Sequence, residues 1–359
     1  MRILVTGGAG FIGSHYVRSL LNGGRTGGDP AGVGGSRGRP GGGPGGDPVV
    51  GNPGGGPGGD RGGDPGAGGV TEVTVIDRLT YAGRRENLPP DGPRLRFVHG
   101  DVCDADLLTK VLPGHDAVVH FAAESHVDRS LLGAAEFVRT NVAGTQTLLD
   151  ACLRTGVGPV VHVSTDEVYG SIGSGSWTEE SPLLPNSPYA ASKAGSDLIA
   201  RAFARTHGMD VRITRCSNNY GPYQHPEKLI PLFVTRFLTG REAPLYGDGR
   251  NVREWIHVDD HCRAVHQVLL KGGPGEIYNI GGGSGLTNRE IVGMLLELCD
   301  ADWSLVREVP DRKGHDLRYA LDGGKAREEL GFEPRWTLDK GLVDTVAWYR
   351  DNPGFWRGR

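Results

Sequence analysis

The run RILVTGGAGFIG, Arg2 to Gly13, decides how the rest of the chain is read. Arg2 to Thr6 is a short apolar run with β-branched residues, the pattern of a buried strand. Glycines 7, 10 and 13 follow at once, and Ser14 to Leu21 is spaced as an amphipathic helix. A strand turning through such glycines into a helix brings backbone N–H groups and a helix N-terminus to a pyrophosphate. A glycine triplet alone would fit an ordinary tight turn. The strand before it and the helix after it favour a dinucleotide site built on Gly7, Gly10 and Gly13.

Working outward, Val70 to Ile76 alternates as a second strand and ends in Asp77. An acidic residue there reaches adenosine ribose hydroxyls and repels a 2′-phosphate, which points to NAD rather than NADP, although Arg78 and Arg84 lie nearby. Between helix and strand, residues 23–69 are about half glycine with seven prolines. Such a segment buries too little apolar surface to offset its ordering entropy, so a disordered Gly/Pro-rich insertion is expected. Leu95 to Val98 is a third strand, followed by Asp101, either an acceptor for an adenine amino group or a helix cap. Ala117 to Phe121 is a fourth, followed by small residues. Ala134 to Thr155 reads as a long helix.

The densest chemistry lies in Val160 to Lys193, VVHVSTDEVYGSIGSGSWTEESPLLPNSPYAASK. Thr165, Asp166 and Glu167 follow an apolar strand-like run. Tyr189 and Lys193 open a helix at spacing i, i+4, on one face. An ammonium beside a phenol favours the phenolate and would make Tyr189 a general base for an alcohol. Tyr-x-x-x-Lys is also a common helix face, and Asp-Glu a common solvated loop pair. On a regular strand, Asp166 and Glu167 would face opposite ways, so both serve one site only if the chain is turning there.

Strand–helix alternation to about residue 215 predicts an α/β fold, a Rossmann-type doubly wound parallel sheet. The expected division is 1–215 for the dinucleotide domain, with 250–275 returning to it, and 216–359 for a smaller, loop-rich C-terminal substrate domain. The 359 residues carry a formal net charge of −4, which suggests no nucleic-acid surface. Five scattered cysteines, without a Cys-x-x-Cys pair, read as reduced thiols. No signal-peptide pattern or membrane-length apolar run is visible, so a soluble cytoplasmic protein is expected. His126, His162, His257 and His315 lack metal-ligand spacing, and no catalytic metal is expected. Arg253 and Arg312 are candidate diphosphate clamps, though single arginines are more often surface charges.

Together the motifs resemble the extended short-chain dehydrogenase/reductase family, and within it the dTDP-glucose 4,6-dehydratases. The likeness rests on TGGAGFIG (Thr6 to Gly13), LTYAG (Leu79 to Gly83), FAAESHVDRS (Phe121 to Ser130), STDEVYG (Ser164 to Gly170), PNSPYAASK (Pro185 to Lys193), SNNYGPYQHPEKLIP (Ser217 to Pro231) and NVREWIHVDD (Asn251 to Asp260). It implies NAD-dependent dehydration of dTDP-glucose to a 4-keto-6-deoxy sugar. By that resemblance Tyr189 takes the C4 hydroxyl proton, Lys193 tunes Tyr189 and holds the nicotinamide ribose, and Thr165 orients the sugar. Glu167 takes the C5 proton and Asp166 protonates the departing C6 hydroxyl. Cofactor positions would be Gly7, Gly10, Phe11, Ile12, Gly13, Asp77, Thr80, Asp101, Val102, Ala123, Thr140, Tyr189, Lys193 and Asn219. Substrate positions would be Ser125, Thr165, Asn218, Lys228, Leu229, Pro244, Tyr246, Arg253, Asn288, Arg312 and His315. A homodimer through the long helices is also implied. The insertion, Arg84, Lys313 and Leu317 depart from the family pattern. The rival readings are another nucleotide-sugar epimerase, decarboxylase or dehydratase on the same fold, of which an epimerase would need no acid at C6 and so no Asp166, and a non-catalytic NAD-binding regulator.

Overall fold

The structure, a computed structural model, describes residues 1–22, 69–283 and 285–357. The expected insertion lies outside the described residues, apart from Gly69 at its end. The main sheet takes seven strands: β1 (Arg2–Thr6), β2 (Glu72–Asp77), β3 (Leu95–His99), β4 (Ala117–His120), β5 (Val160–Thr165), β6 (Val211–Cys216) and β10 (Ile277–Ile280). The smaller sheets use β7 (Asn218–Tyr220), β8 (Ala243–Tyr246), β9 (Val252–His257), β11 (Gly285–Thr287) and β12 (Val306–Val309).

The main sheet is parallel throughout, in the order β10-β6-β5-β4-β1-β2-β3. Helices cover both faces, so its strands are nearly continuous apolar runs. Alternate residues serve opposite faces. Ile3 and Val5 pack with Tyr16, Val17 and Leu20, whereas Leu4 packs with Leu108, Leu148 and Leu149. Each such fully buried side chain stabilises the fold by about 1.5–3 kcal/mol. Chain order reverses between β1 and β4, which opens a crevice at the carboxyl ends of the strands.

The helix that carries Tyr189 and Lys193 runs from Pro188 to His207. Ser187 caps it by accepting from the Ala190 N–H at 3.1 Å, Pro188 occupies its first turn, and Gly208 ends it at φ +64°. The expected long helix is interrupted: Ala135–Phe137 and Gly144–Thr155 are α-helical, and Val138–Ala143 between them is a π-helix. Such wide turns recur where a helix must present side chains to a site. Asp104, not Asp101, caps Ala105–Val111, which leaves Asp101 free to face the crevice.

The smaller layer pairs β11-β9-β7 and β12-β8 over a second core that includes Phe233, Trp255, Leu295 and Leu342. A capping box opens Asn288–Leu298: Thr287 and Glu290 satisfy each other's backbone N–H groups. Among the described residues no helix is long and apolar enough to cross a membrane.

Candidate active site

One cleft lies along the carboxyl ends of β1, β2, β4, β5 and β6. Its first half is built largely from backbone. Gly7 has φ +69°, and a Cβ there would lie 2.5 Å from the Ala122 nitrogen. A Cβ on Gly13 would lie 2.3 Å from the Gly7 carbonyl oxygen. Both positions therefore require glycine. The helix Phe11–Leu21 begins here with no acidic residue in its first turn, and Gly10 has no side chain with which to cap it. Its first N–H groups are thus available to an anion. The Asp77 carboxylate accepts from the Ala9 and Leu79 N–H groups, both at 2.8 Å, and so joins the glycine turn to the end of β2. Burial pushes its carboxyl above the usual range. Gly7, Gly10, Phe11, Ile12, Gly13, Asp77, Thr80, Asp101, Val102, Ala123, Thr140 and Asn219 all line this cleft. A bare glycine cradle, an uncapped helix start and an acid at the next strand end fit a diphosphate-linked nucleoside.

The second half is built from side chains. β5 ends at Thr165, and Asp166–Tyr169 forms one turn of 3₁₀ helix. The chain therefore turns where the two carboxylates sit, and Thr165, Asp166, Glu167, Tyr189 and Lys193 all line the cleft. Thr165 Oγ1 donates to Asp166 Oδ1 at 3.2 Å and accepts from the Glu167 N–H at 3.3 Å. Burial, then the neighbouring Glu167 and Glu254, push the Asp166 carboxyl well above its ordinary range. Its Oδ2 is buried without a hydrogen-bond partner among the described residues. Burial also raises Glu167, but Arg312, Arg253 and Lys228 oppose that rise. Both adjacent acids are thus biased toward the protonated form, Asp166 more strongly, while the cations around Glu167 limit its rise.

Tyr189 and Lys193 do not behave as a simple ion-paired couple. Lys193 Nζ donates to the Val163 carbonyl at 2.9 Å. Burial pushes its ammonium down to about 8, with Asp197 and Cys216 acting against that fall. The Tyr189 phenol is pushed well up, first by burial and then by Glu167 and Cys216, while the Thr165 hydroxyl counteracts. The expected lowering of the phenol by its neighbouring ammonium does not appear, because desolvation outweighs it in the closed pocket.

Of the expected substrate positions, Ser125, Thr165, Asn218 and Lys228 line the cleft. A second group adjoins it. Tyr246 Oη donates to Asp128 Oδ2 at 3.0 Å, and Arg312 Nη1 lies 3.7 Å from Asp128 Oδ1. The Tyr246 and His315 rings meet edge to face at 6.3 Å. Arg253 Nη2 donates to the Asp316 carbonyl at 2.8 Å, and the guanidinium lies over the Tyr319 ring. Asn288 Oδ1 and Arg312 Nε are buried without hydrogen-bond partners among the described residues, as groups awaiting a polar ligand would be. Arg253, Arg312 and Lys228 connect this group to Glu167. The two remaining positions stand apart in their contacts. Leu229 packs on the second core, and Pro244 sits in β8 opposite Arg307. Among the described residues no cluster of three or more His, Cys, Asp or Glu could hold a metal ion.

Two supporting residues, Asn141 and Asp197, escaped the sequence reading. Asn141, on the π-helical turn, donates to the Glu124 carbonyl at 3.0 Å and to Ser192 Oγ at 2.8 Å, and accepts from the Glu124 N–H at 2.8 Å. It thereby ties the loop after β4 to the helix of Tyr189 and Lys193. Asp197, one turn beyond Lys193 and wholly buried, lies 2.8 Å from Arg215 Nε and 3.3 Å from His162 Nε2. Burial works against its charge, but His162 and Arg215 hold its carboxyl down at about 2. The i, i+4 spacing from Lys193 was the available signal for Asp197; Asn141 had none, because its partners are distant in sequence.

A family profile described as GDP-mannose 4,6 dehydratase matches residues 68–345. The dTDP-glucose 4,6-dehydratase of Streptomyces niveus is 54% identical over 99% of this chain and 95% of its own length. The crystal structure of DesIV, a dTDP-glucose 4,6-dehydratase from Streptomyces venezuelae solved with NAD bound, is 61% identical and superposes with a TM-score of 0.86, covering 99% of both chains. A UDP-glucose 4-epimerase from Thermotoga maritima has nearly the same shape, TM-score 0.80 over 98% of this chain and 100% of its own, but is only 30% identical. Shape alone therefore does not divide dehydratase from epimerase, whereas sequence identity across the whole chain does. By that measure the chain belongs to the dTDP-glucose 4,6-dehydratase family.

Proposed function

We propose that this protein carries out the NAD-dependent dehydration of dTDP-glucose to dTDP-4-keto-6-deoxyglucose. The observation that supports this most directly is the pair of adjacent acids Asp166 and Glu167 lining the cleft beside Tyr189 at the end of β5, with Asp166 held well above its ordinary range and Glu167 raised less, against three opposing cations. An epimerase needs a base at the C4 hydroxyl but no acid at C6, so a protonated Asp166 is the feature that favours dehydration. NAD, when bound, supplies a hydride acceptor for C4 and a donor for C6.

The chain's own groups account for the remaining steps. Tyr189 Oη removes the C4 hydroxyl proton, and its raised pKa implies that the phenolate forms only with cationic charge close by, for which Lys193 is placed one helical turn away. Thr165 holds the sugar hydroxyl in line with Tyr189. Oxidation at C4 acidifies the C5 proton, which Glu167 removes, and Asp166 delivers its proton to the C6 hydroxyl leaving as water. Glu167 then returns a proton to C5 as C6 is reduced, so the sequence is redox-neutral and loses one water. Lys228, Arg253 and Arg312 are suited to the sugar diphosphate and stand where they also oppose the upward shift of Glu167. The expected roles of Ser125, Asn218, Leu229, Pro244, Tyr246, Asn288 and His315 in substrate binding belong to the same reading. The protein would act in the cytoplasm as a homodimer. Leu132 is 91% exposed, Val138 53% and Leu198 54%, apolar side chains that a second copy would cover.

The test is dTDP-glucose deuterated at C4, with the product located by mass spectrometry. Label at C6 of a product lighter by one water is expected. Label retained at C4 of an isomer would make the enzyme an epimerase.

A further inference from the structure

The residues at the end of β2 carry opposing signals. Asp77 disfavours a 2′-phosphate on an adenosine ribose, whereas an arginine beside it is the residue type that accepts one. Arg78 is that neighbour, and it lines the cleft. Its guanidinium is already engaged: Nη1 lies 2.5 Å from Glu136 Oε1 and Nε 3.5 Å from Asp101 Oδ2. Arg139 completes the cluster, with Nη2 2.7 Å from Asp101 Oδ2 and Nη1 3.1 Å from Glu136 Oε1. Two cations meet two anions, so the cluster carries no net charge. Thr140, which lines the cleft, reaches Glu136 Oε1 at 3.5 Å.

The members are not equivalent. Asp101 also accepts from the Cys103 N–H at 2.9 Å and makes its closer ion pair with Arg139. Arg78 makes its closer pair with Glu136. Removing the Glu136 charge would leave Arg78 with only the longer contact to Asp101, and the cluster with a net positive charge beside the ribose end of the cleft. A phosphate dianion is the ligand group that such a surplus attracts.

Resting on the NAD reading above, we propose that Glu136 is a specificity-determining residue: it engages Arg78 and denies that guanidinium to a 2′-phosphate, so that discrimination against NADP is set by Asp77 and Glu136 together. At about half exposure these ion pairs add little to stability, and Glu136→Gln is expected to fold.

The experiment measures dissociation constants for NAD⁺ and NADP⁺ by titration calorimetry on the full-length, cofactor-stripped protein. Glu136→Gln should improve NADP⁺ binding relative to NAD⁺ by about tenfold. Adding Arg78→Ala to that variant should return the ratio to the wild-type value, and Arg78→Ala alone should not raise it. An unchanged ratio in Glu136→Gln overturns the proposal, as does a gain that survives the loss of Arg78. A wild-type protein that binds neither dinucleotide would sink the cofactor reading itself. NAD⁺ binding with an unmoved ratio sinks only the role of Glu136.

Discussion

The two halves of the cleft are made in different ways. The half at β1 and β2 is a backbone surface, with glycines that leave no room for a Cβ and a helix start that offers N–H groups. The half at β5 is a set of side chains whose protonation depends on charges brought from far along the chain. Glu167 is held by Lys228, Arg253 and Arg312, and Asp166 is pressed by Glu254. A backbone cradle accepts any ligand with the right phosphate geometry. A tuned carboxylate pair commits the site to one kind of proton transfer. The epimerase and this chain share one fold, so side chains and not shape must divide their chemistry.

If that contrast is right, damage to the side-chain half should remove turnover and leave the dinucleotide in place. Tyr189→Phe should lower kcat by roughly 10²–10⁴-fold with NAD still bound, measured by steady-state kinetics and calorimetry on one preparation. Glu167→Gln should lose a similar factor at a later step, so that reduced dinucleotide accumulates and is seen by its absorbance. Loss of that signal in Glu167→Gln would mean that Glu167 acts before elimination. Damage to the backbone half should do the reverse. Gly13→Val places a Cβ 2.3 Å from the Gly7 carbonyl oxygen and should weaken NAD by at least about tenfold, with the carboxylates untouched.

Smaller effects follow from pH and assembly. Lys193 should lose its proton near pH 8, so kcat/KM should fall about tenfold per unit above that point. An unfolded lysine keeps its proton to about 10.4, so the unfolded chain binds more protons between the two values. The contribution of Lys193 to stability should therefore rise with pH across that window, even as activity falls, which denaturant melts at several pH values would register. The smallest expected effect on chemistry is that of Leu132→Glu with Leu198→Glu, which should shift the molar mass in light scattering to that of one chain. Unchanged mass would place any dimer contact elsewhere.

Much of the fold was readable because its signals are local. The β1 run, the three glycines and the acid ending β2 are contiguous patterns, and Tyr189 with Lys193 shares one helix face by spacing alone. The capping box at Thr287 was equally local. Residues such as Arg253 and Arg312 were legible only as single cations, because the sequence does not say what they surround. The Tyr189 phenol shows the same boundary: a neighbouring lysine suggests a lowered pKa, but the direction depends on how completely the pocket excludes water.

By itself, the sequence determined the strand-glycine-helix cradle, the order of strands and helices, and which titratable groups are present, since each follows from short-range geometry or residue type. Only the tertiary structure decided that β5 stops at Thr165, so that adjacent acids share one cleft, and that a π-helical turn aims Asn141 between two elements. It also decided that Arg78 spends its charge on Glu136. The physical reason is common to all three. Burial and charge pairing are sums over neighbours in space, and those neighbours lie tens of residues apart along the chain.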